Sequence, residues 1–157
     1  MAVGTSAMCG TFKREILAGI HHLTAHTRTG SSAISADTLK VAMFTNSSSI
    51  DADTTGYTTS NEVSGTNYSA GGAALSSVTI GLADNSSSVP TAFVNFADTT
   101  FSSSTISSAR GALIYNSSAS NKAIAVIDFG STKSVSGGTL TVTLPTASAS
   151  TALIRLT

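Results

Sequence analysis

The side chains of this sequence that could do chemistry are few, and the clearest group is a set of three histidines. His21, His22 and His26 lie together in IHHLTAH. On a helix, His22 and His26 would be one turn apart, a spacing that can chelate a metal, but a zinc site needs a third and usually a fourth ligand. We therefore expect no metal here, and interpret the histidines as the polar face of a helix that points to solvent or to a partner.

Three aspartates are the next candidates. Asp51 and Asp53 in DADTTG partly match a calcium loop. The run of oxygen ligands that ends in a bidentate Glu is missing, so hydrogen bonding within a turn is the better interpretation. Asp128 lies in the apolar segment VIDFG, where burial would raise the pKa of its carboxyl group. We expect it instead to point outward near the end of a strand, or to pair with Arg110 or Lys122.

Nucleophilic chemistry is poorly supported. The chain has one cysteine, Cys9, in an N-terminal segment made of small residues. Serines are numerous, but neither the G-x-S-x-G motif of a hydrolase nor a phosphate-binding P-loop is present. The sequence therefore predicts no catalytic residues, no cofactor and no metal, and a protein that is not an enzyme.

Composition narrows the range of partners. Charged residues make up 10% of the chain, and eight basic residues balance eight acidic ones. Nucleic-acid binding needs a concentrated basic surface, so we expect none. No apolar run approaches the roughly 20 residues that cross a bilayer, which predicts no membrane partner. The N-terminal residues MAVGTSAMCG lack the charged region and apolar stretch of a secretory signal, so synthesis in the cytoplasm is expected. Ser and Thr form about a third of the residues, while 41% are hydrophobic, which favours a folded β protein over a disordered stalk.

The N-terminal quarter predicts an arm and a helix. Residues 1–10 resemble a flexible arm in composition, and an amphipathic helix is expected over 12–25, with Thr11 as its N-cap. The apolar stripe of this helix is the predicted partner-binding surface, and it consists of Phe12, Ile16, Ile20 and Leu23.

The remainder of the chain predicts strands. Apolar or alternating segments are expected as strands near 39–45, 58–64, 75–82, 91–97, 105–116, 122–129, 139–145 and 151–156. With the helix they form one domain over 11–157, mainly β, an antiparallel β-sandwich or jelly-roll-like fold of about eight strands. The clearest element is the hairpin GALIY…AIAVI, whose strands are apolar at nearly every position. Such strands are covered on both faces, so the hairpin is expected to be central or covered by the helix or by a neighbouring subunit.

Three segments carry a resemblance to a known group of proteins. They are FKREILAGIHHLTAHT, GYTTSNEVSGTNYSAGG and ARGALIYNSSASNKAIAVIDFG. Together they resemble small structural proteins of tailed-phage virions, common in marine and cyanobacterial phages. The resemblance extends over nearly the whole chain from residue 12.

The resemblance implies an adhesive role in the virion. It favours a capsid decoration (cement) protein that binds the major capsid protein and itself, as a homo-oligomer with a trimer as the expected state. The arm would then order on a neighbouring subunit. A tail, neck or baseplate component is the alternative in the same class. A carbohydrate-binding module for host attachment is the alternative in another class, although the chain has no Trp for stacking on sugars.

Overall fold

The computed structural model describes residues 2–27 and 29–157, which form antiparallel sheets and one short α-helix near the N-terminus. No helix in these two ranges is long and apolar enough to cross a membrane. The elements are β1 (Ala7–Met8), α1 (Gly10–Leu17), β2 (His26–Thr27), β3 (Ala33–Ile34), β4 (Leu39–Thr45), β5 (Gly65–Thr66), β6 (Ala73–Ala74), β7 (Thr79–Asp84), β8 (Pro90–Asn95), β9 (Thr99–Asn116), β10 (Lys122–Val142) and β11 (Ile154–Leu156). The expectation of a mainly β, antiparallel protein with an N-terminal helix is confirmed.

The strands form three sheets. The main sheet has the order β1-β10-β9-β4-β6, and β5 pairs with Thr105 and Ile106 of β9. A second sheet of three strands has the order β11-β8-β7, and β2 pairs with β3 in a small two-stranded ribbon. Buried side chains of the main and second sheets belong to one hydrophobic core, which includes Ile114 of β9 and both Val94 and Ile154 of the second sheet.

The β9–β10 hairpin is central, as its continuous apolar pattern predicts. It lies between β1 and β4, and residues 112–114 and 123–126 are fully buried. Because successive residues of a strand point to opposite faces, Asn116 and Tyr115 mark the two sides of the sheet. Asn116 contacts His21, just beyond α1, whereas the ring of Tyr115 stacks on Tyr57 in the loop after β4. Both faces are therefore covered by parts of the same chain.

Two strand predictions differ from the structure. The segments predicted as separate strands at 122–129 and 139–145 belong to one strand, β10, which continues through the link GSTKSVSGG. Register shifts in the pairing of β10 with β9, and positive φ angles at Gly130 and Gly137, let the strand bend without ending. The strand predicted at 58–64 is a loop instead, since Asn61 has a φ of 61° and only an isolated bridge joins Glu62 to Phe44.

The N-terminal segment is packed, which corrects the expectation of a flexible arm over 1–10. Ala7 and Met8 pair with Val126 and Ala125 of β10, and the side chains of Val3 and Cys9 are buried. The described part of this segment is the edge of the main sheet, so it has no free length to order on a neighbour.

The helix is shorter than predicted. It ends at Leu17 instead of residue 25, because Gly19 adopts a φ of 68°. The N–H of Ile20 donates to the carbonyl of Glu15 and the N–H of Gly19 donates to that of Ile16, the paired bonds of a Schellman cap. At the other end Cys9, not Thr11, holds the N-cap position, and its side chain makes no capping hydrogen bond.

Gly72 allows the loop before β6 to lie directly against β4. Its φ is 66°, and a Cβ at this position would overlap the carbonyl oxygen of Val41. We expect Gly72→Ala to lower the free energy of unfolding by about 3 kcal/mol, because strain in the left-handed region adds to the overlap. Chemical denaturation of the purified protein measures this loss.

Gly137→Ala is the matched control for this prediction. Gly137 has a φ of 63°, but nothing lies within 4 Å of a Cβ placed there. The control isolates the backbone strain and should cost about 1 kcal/mol. Equal losses in the two variants would contradict the close approach of the loop to β4.

Candidate functional site

The histidines expected on one polar helix face are separated by the early end of α1. His22 and His26 lie beyond the helix, with His26 in β2, and their rings meet edge to face at 5.5 Å. The helical spacing on which a metal interpretation would depend is therefore absent. In the described ranges, no three His, Cys, Asp or Glu side chains are grouped so that they could bind a metal ion.

His21 is part of a buried polar network that joins the helix to the hairpin. Glu15 of α1 accepts hydrogen bonds from Lys122 Nζ at 2.5 Å and from His21 Nε2 at 2.9 Å. On the other side of the ring, Asn116 Nδ2 donates to His21 Nδ1 at 3.0 Å and to Asp37 Oδ2 at 2.6 Å. The bond from Asn116 fixes Nδ1 as an acceptor, so His21 carries its proton on Nε2 and donates it to Glu15.

The environment keeps Glu15 ionised. Burial alone would raise the pKa of its carboxyl group, but hydrogen bonds from Lys122 and His21 and the charge of Lys122 outweigh it and lower the pKa below its ordinary value. The side chains of Glu15 and His21 are 3% and 0% exposed. A carboxylate next to an imidazole is a common acid–base arrangement, but here no substrate can reach either group. The network therefore holds α1 onto the end of the hairpin.

A second cluster of hydrogen bonds, partly buried, organises the segment GYTTSNEVSGTNYSAGG. Glu62 accepts hydrogen bonds from Tyr57 Oη at 2.6 Å, from Tyr68 Oη at 2.8 Å and from the N–H of Gly71 at 2.8 Å. Tyr115 Oη donates to the carbonyl of Gly71 at 2.8 Å. All three tyrosines of the chain thus converge on one loop.

These tyrosines act as hydrogen-bond donors, Tyr57 and Tyr68 to Glu62 and Tyr115 to the carbonyl of Gly71. Burial, together with the Glu62 carboxylate, raises the pKa of Tyr57 and of Tyr68 well above the ordinary value. Both hydroxyl groups stay protonated at neutral pH and hold Glu62 in place. Sequence analysis missed this cluster, because its members are 5, 6 and 9 residues from Glu62 and Tyr115 comes from a distant strand.

The other candidate groups have local structural roles. Asp51 Oδ1 accepts from the N–H of Asp53 at 2.9 Å, which closes a turn. Asp128 pairs with Arg110, one of the two partners predicted for it. Cys9 is fully buried, and burial with the nearby Asp51 carboxylate raises the pKa of its thiol to about 12. Such a thiol is not a nucleophile at neutral pH.

The loop after β4 encloses a polar cup of about 330 Å³. Hydroxyl, amide and carboxylate groups of Asp53, Thr54, Ser60 and Asn61 line its wall. The aromatic residue at its base, Phe44, is 1% exposed. A sugar ring would therefore find hydrogen-bond partners in the cup but no aromatic surface to stack on.

One face of the second sheet is apolar and partly exposed. Six side chains share this face, by the register of the three strands: Ile80, Leu82, Ala92, Val94, Ile154 and Leu156. The end nearest the helix is covered by Ile16 and Leu23, which border an apolar groove of about 130 Å³. The other end is open, and the exposed fraction reaches 55% for Ile80 and 74% for Leu82.

The predicted partner-binding residues are divided between the core and this surface. Phe12 is fully buried and packs edge to face on His21 at 4.8 Å, so it cannot contact a partner. Ile16 and Leu23 are half-buried at the groove, and Ile20 is 38% exposed. The exposed members of the apolar face in β7 were predicted as part of a strand but not as a binding surface.

Comparisons with known proteins do not assign the chain to a family. No family model matches it, and no curated protein and no solved structure matches it either. A function for this chain is therefore inferred from the geometry of its fold and its surfaces.

The Glu15 network leads to a prediction about pH. In Glu15→Gln a neutral amide replaces the carboxylate, so the charge opposite Lys122 is lost. The amide places either its NH2 group, a donor, or its carbonyl oxygen, a weaker acceptor, against His21. We expect this variant to lose about 2 kcal/mol of unfolding free energy at neutral pH. Because folding lowers the pKa of Glu15, its contribution is complete above the ordinary value of 4.5 and is lost as the pH falls below it.

Chemical denaturation of both proteins from pH 7 to pH 3 measures this difference. The gap between wild type and Glu15→Gln should shrink below pH 4.5. Asp53→Asn is the control, since the Asp53 side chain is exposed and its stability difference should stay small at every pH. A gap for Glu15→Gln that is constant down to pH 3 would contradict the role of its charge.

Proposed function

We propose that this protein is a structural protein of a tailed-phage virion, and specifically a capsid decoration protein that binds the major capsid protein shell. The observation that carries the proposal is the open apolar face of the second sheet. The ionisable side chains considered as catalytic candidates, such as Glu15, His21 and Asp128, instead make contacts that stabilise the fold. Such a protein acts by adhesion, with no reaction to perform. The resemblance of three segments to virion proteins supports the same role.

The physical chemistry of the surface suits adhesion. Apolar area removed from water stabilises a contact by roughly 25 cal/mol per Å². Charged residues are few, and the net charge is zero, so neighbouring copies on a shell would not repel one another. A symmetric shell repeats each contact many times, and this repetition strengthens contacts that are individually weak.

The absence of an enzymatic role belongs to this proposal. Glu15, His21 and Cys9 have the side chains that catalysis commonly uses, but all three are buried. Asp128 is neutralised by Arg110. We further propose a sandwich-like arrangement, supported by the shared core of the main and second sheets.

A position on the tail, neck or baseplate is the alternative within the same class. A small adhesive β protein would serve there as well, but in far fewer copies. The copy number per particle separates the two positions.

Quantitative mass spectrometry of purified virions tests the proposal. We expect this chain at a number of copies comparable with that of the major capsid protein, because a decoration protein follows the lattice of the shell. Six or twelve copies would place it at the tail or neck. Its absence from purified particles would contradict the virion role altogether.

A further inference from the structure

Strand β7 is an unpaired edge of the second sheet. It pairs with β8 on one side, and no described residue pairs with its other side. A free edge presents backbone N–H and C=O groups that can bind another strand. Of the six residues TIGLAD, five are uncharged, and neither Pro nor Lys interrupts the strand.

The other edges carry features that discourage pairing. The edges of the main sheet at β1 and β6 are two residues long. At the far side of the second sheet, β11 has three residues and contains Arg155. The outer half of β10 is interrupted by register shifts and contains Lys133. The outer part of β9, residues 99–104, pairs only with β10, but its edge is interrupted at Ser103, which has a φ of 49° and whose carbonyl accepts a hydrogen bond from Asn67. Among the described strands, β7 is thus the long regular edge without such protection.

We propose that β7 pairs antiparallel with β7 of a second copy of this chain, forming a two-fold dimer with one continuous six-stranded sheet. Two identical antiparallel strands are related by an axis perpendicular to the sheet, so the apolar faces of both copies lie on the same side. The contact is isologous and closes at two copies. It would replace the trimer that the resemblance implies.

The residue pattern of β7 favours an axis at Gly81 over an axis at Leu82. With the axis at Gly81, Ile80 lies opposite Leu82 of the second copy, and this pair occurs twice. Five residues of each strand then pair, from 79 to 83, and the charge of Asp84 stays outside the paired region. With the axis at Leu82, the carboxylate of Asp84 would lie opposite Ile80, which costs free energy because a charge is brought against an apolar surface.

Two further features fit the axis at Gly81. A glycine pair at the axis adds no side chain to the face opposite the apolar one. On the opposite face, the ring of Phe93 already lies against Gly81, where a Cβ would come within 2.5 Å of it. The apolar groove also continues to the contact, since Ile80 is part of its lining. Leu82 of the second copy would therefore extend the apolar surface beside the groove.

This inference names a partner for the surface on which the proposed function rests, and the purified protein alone tests it. Sedimentation or light scattering of the full chain should give twice the 15.7 kDa of one copy. Leu82→Lys should raise the dissociation constant at least about tenfold, because each dimer loses two buried leucines. Leu82→Thr, which suits a strand, should weaken the dimer in the same direction.

Leu17→Lys is the matched control, since Leu17 is 90% exposed but lies on the helix, away from β7. It should remain dimeric, and circular dichroism should show that all variants are folded. A monomeric wild type, an assembly of three copies, or a Leu82→Lys protein that dimerises as tightly as wild type would overturn the proposal. A monomeric protein that still binds to capsid shells would overturn the dimer and leave the proposed function intact.

Disulfide trapping tests the register. Ile80→Cys and Leu82→Cys chains with different tags are mixed and oxidised. The register predicts a mixed disulfide between residue 80 of one copy and residue 82 of the other. A disulfide that forms only between two Leu82→Cys chains would overturn the axis at Gly81, as would the absence of any cross-link in a dimeric sample.

Discussion

The burial of both faces of the β9–β10 hairpin is the constraint on which the rest of this structure depends. A sheet strand that is apolar on both sides must be covered twice, and this chain supplies both covers itself. The N-terminal helix and the segment after it cover one face, and the loop after β4 covers the other. Each cover is held by a glutamate, the buried Glu15 on the helix side and the partly buried Glu62 on the loop side.

These two glutamates give structural roles to side chains that catalysis commonly uses. Glu15 is neutralised by Lys122 and hydrogen-bonded by His21, and Glu62 is bound by two tyrosines and a backbone N–H. A buried carboxylate with such partners fixes the position of a cover, whereas one without them would be strongly destabilising. Exposed large apolar side chains outside this scheme include Ile80, Leu82 and Leu156, which share the face of the second sheet.

Sequence patterns predict the features that depend on local apolar spacing. Two continuous apolar runs are enough to predict a central hairpin, and Asp128 within such a strand pairs with Arg110, one of the alternatives predicted for it. The length of α1 was overestimated, because an apolar stripe does not reveal that Gly19 turns the chain into the left-handed region. The two glutamate clusters could not be predicted, since their members come from separate elements and meet only after the sheet forms. The open end of the apolar face is a property of packing, which the sequence of β7 alone does not disclose.

The central claim is that β7 is an adhesive edge, open in the isolated chain and paired in the assembly. Hydrogen–deuterium exchange measures this directly at the backbone amides of residues 79–84, in dilute protein and in the assembled state. Amides that point away from β8 should exchange rapidly when dilute and slowly on assembly, while those of residues 112–114 stay protected in both. Equal exchange rates at β7 in the two states would contradict the claim.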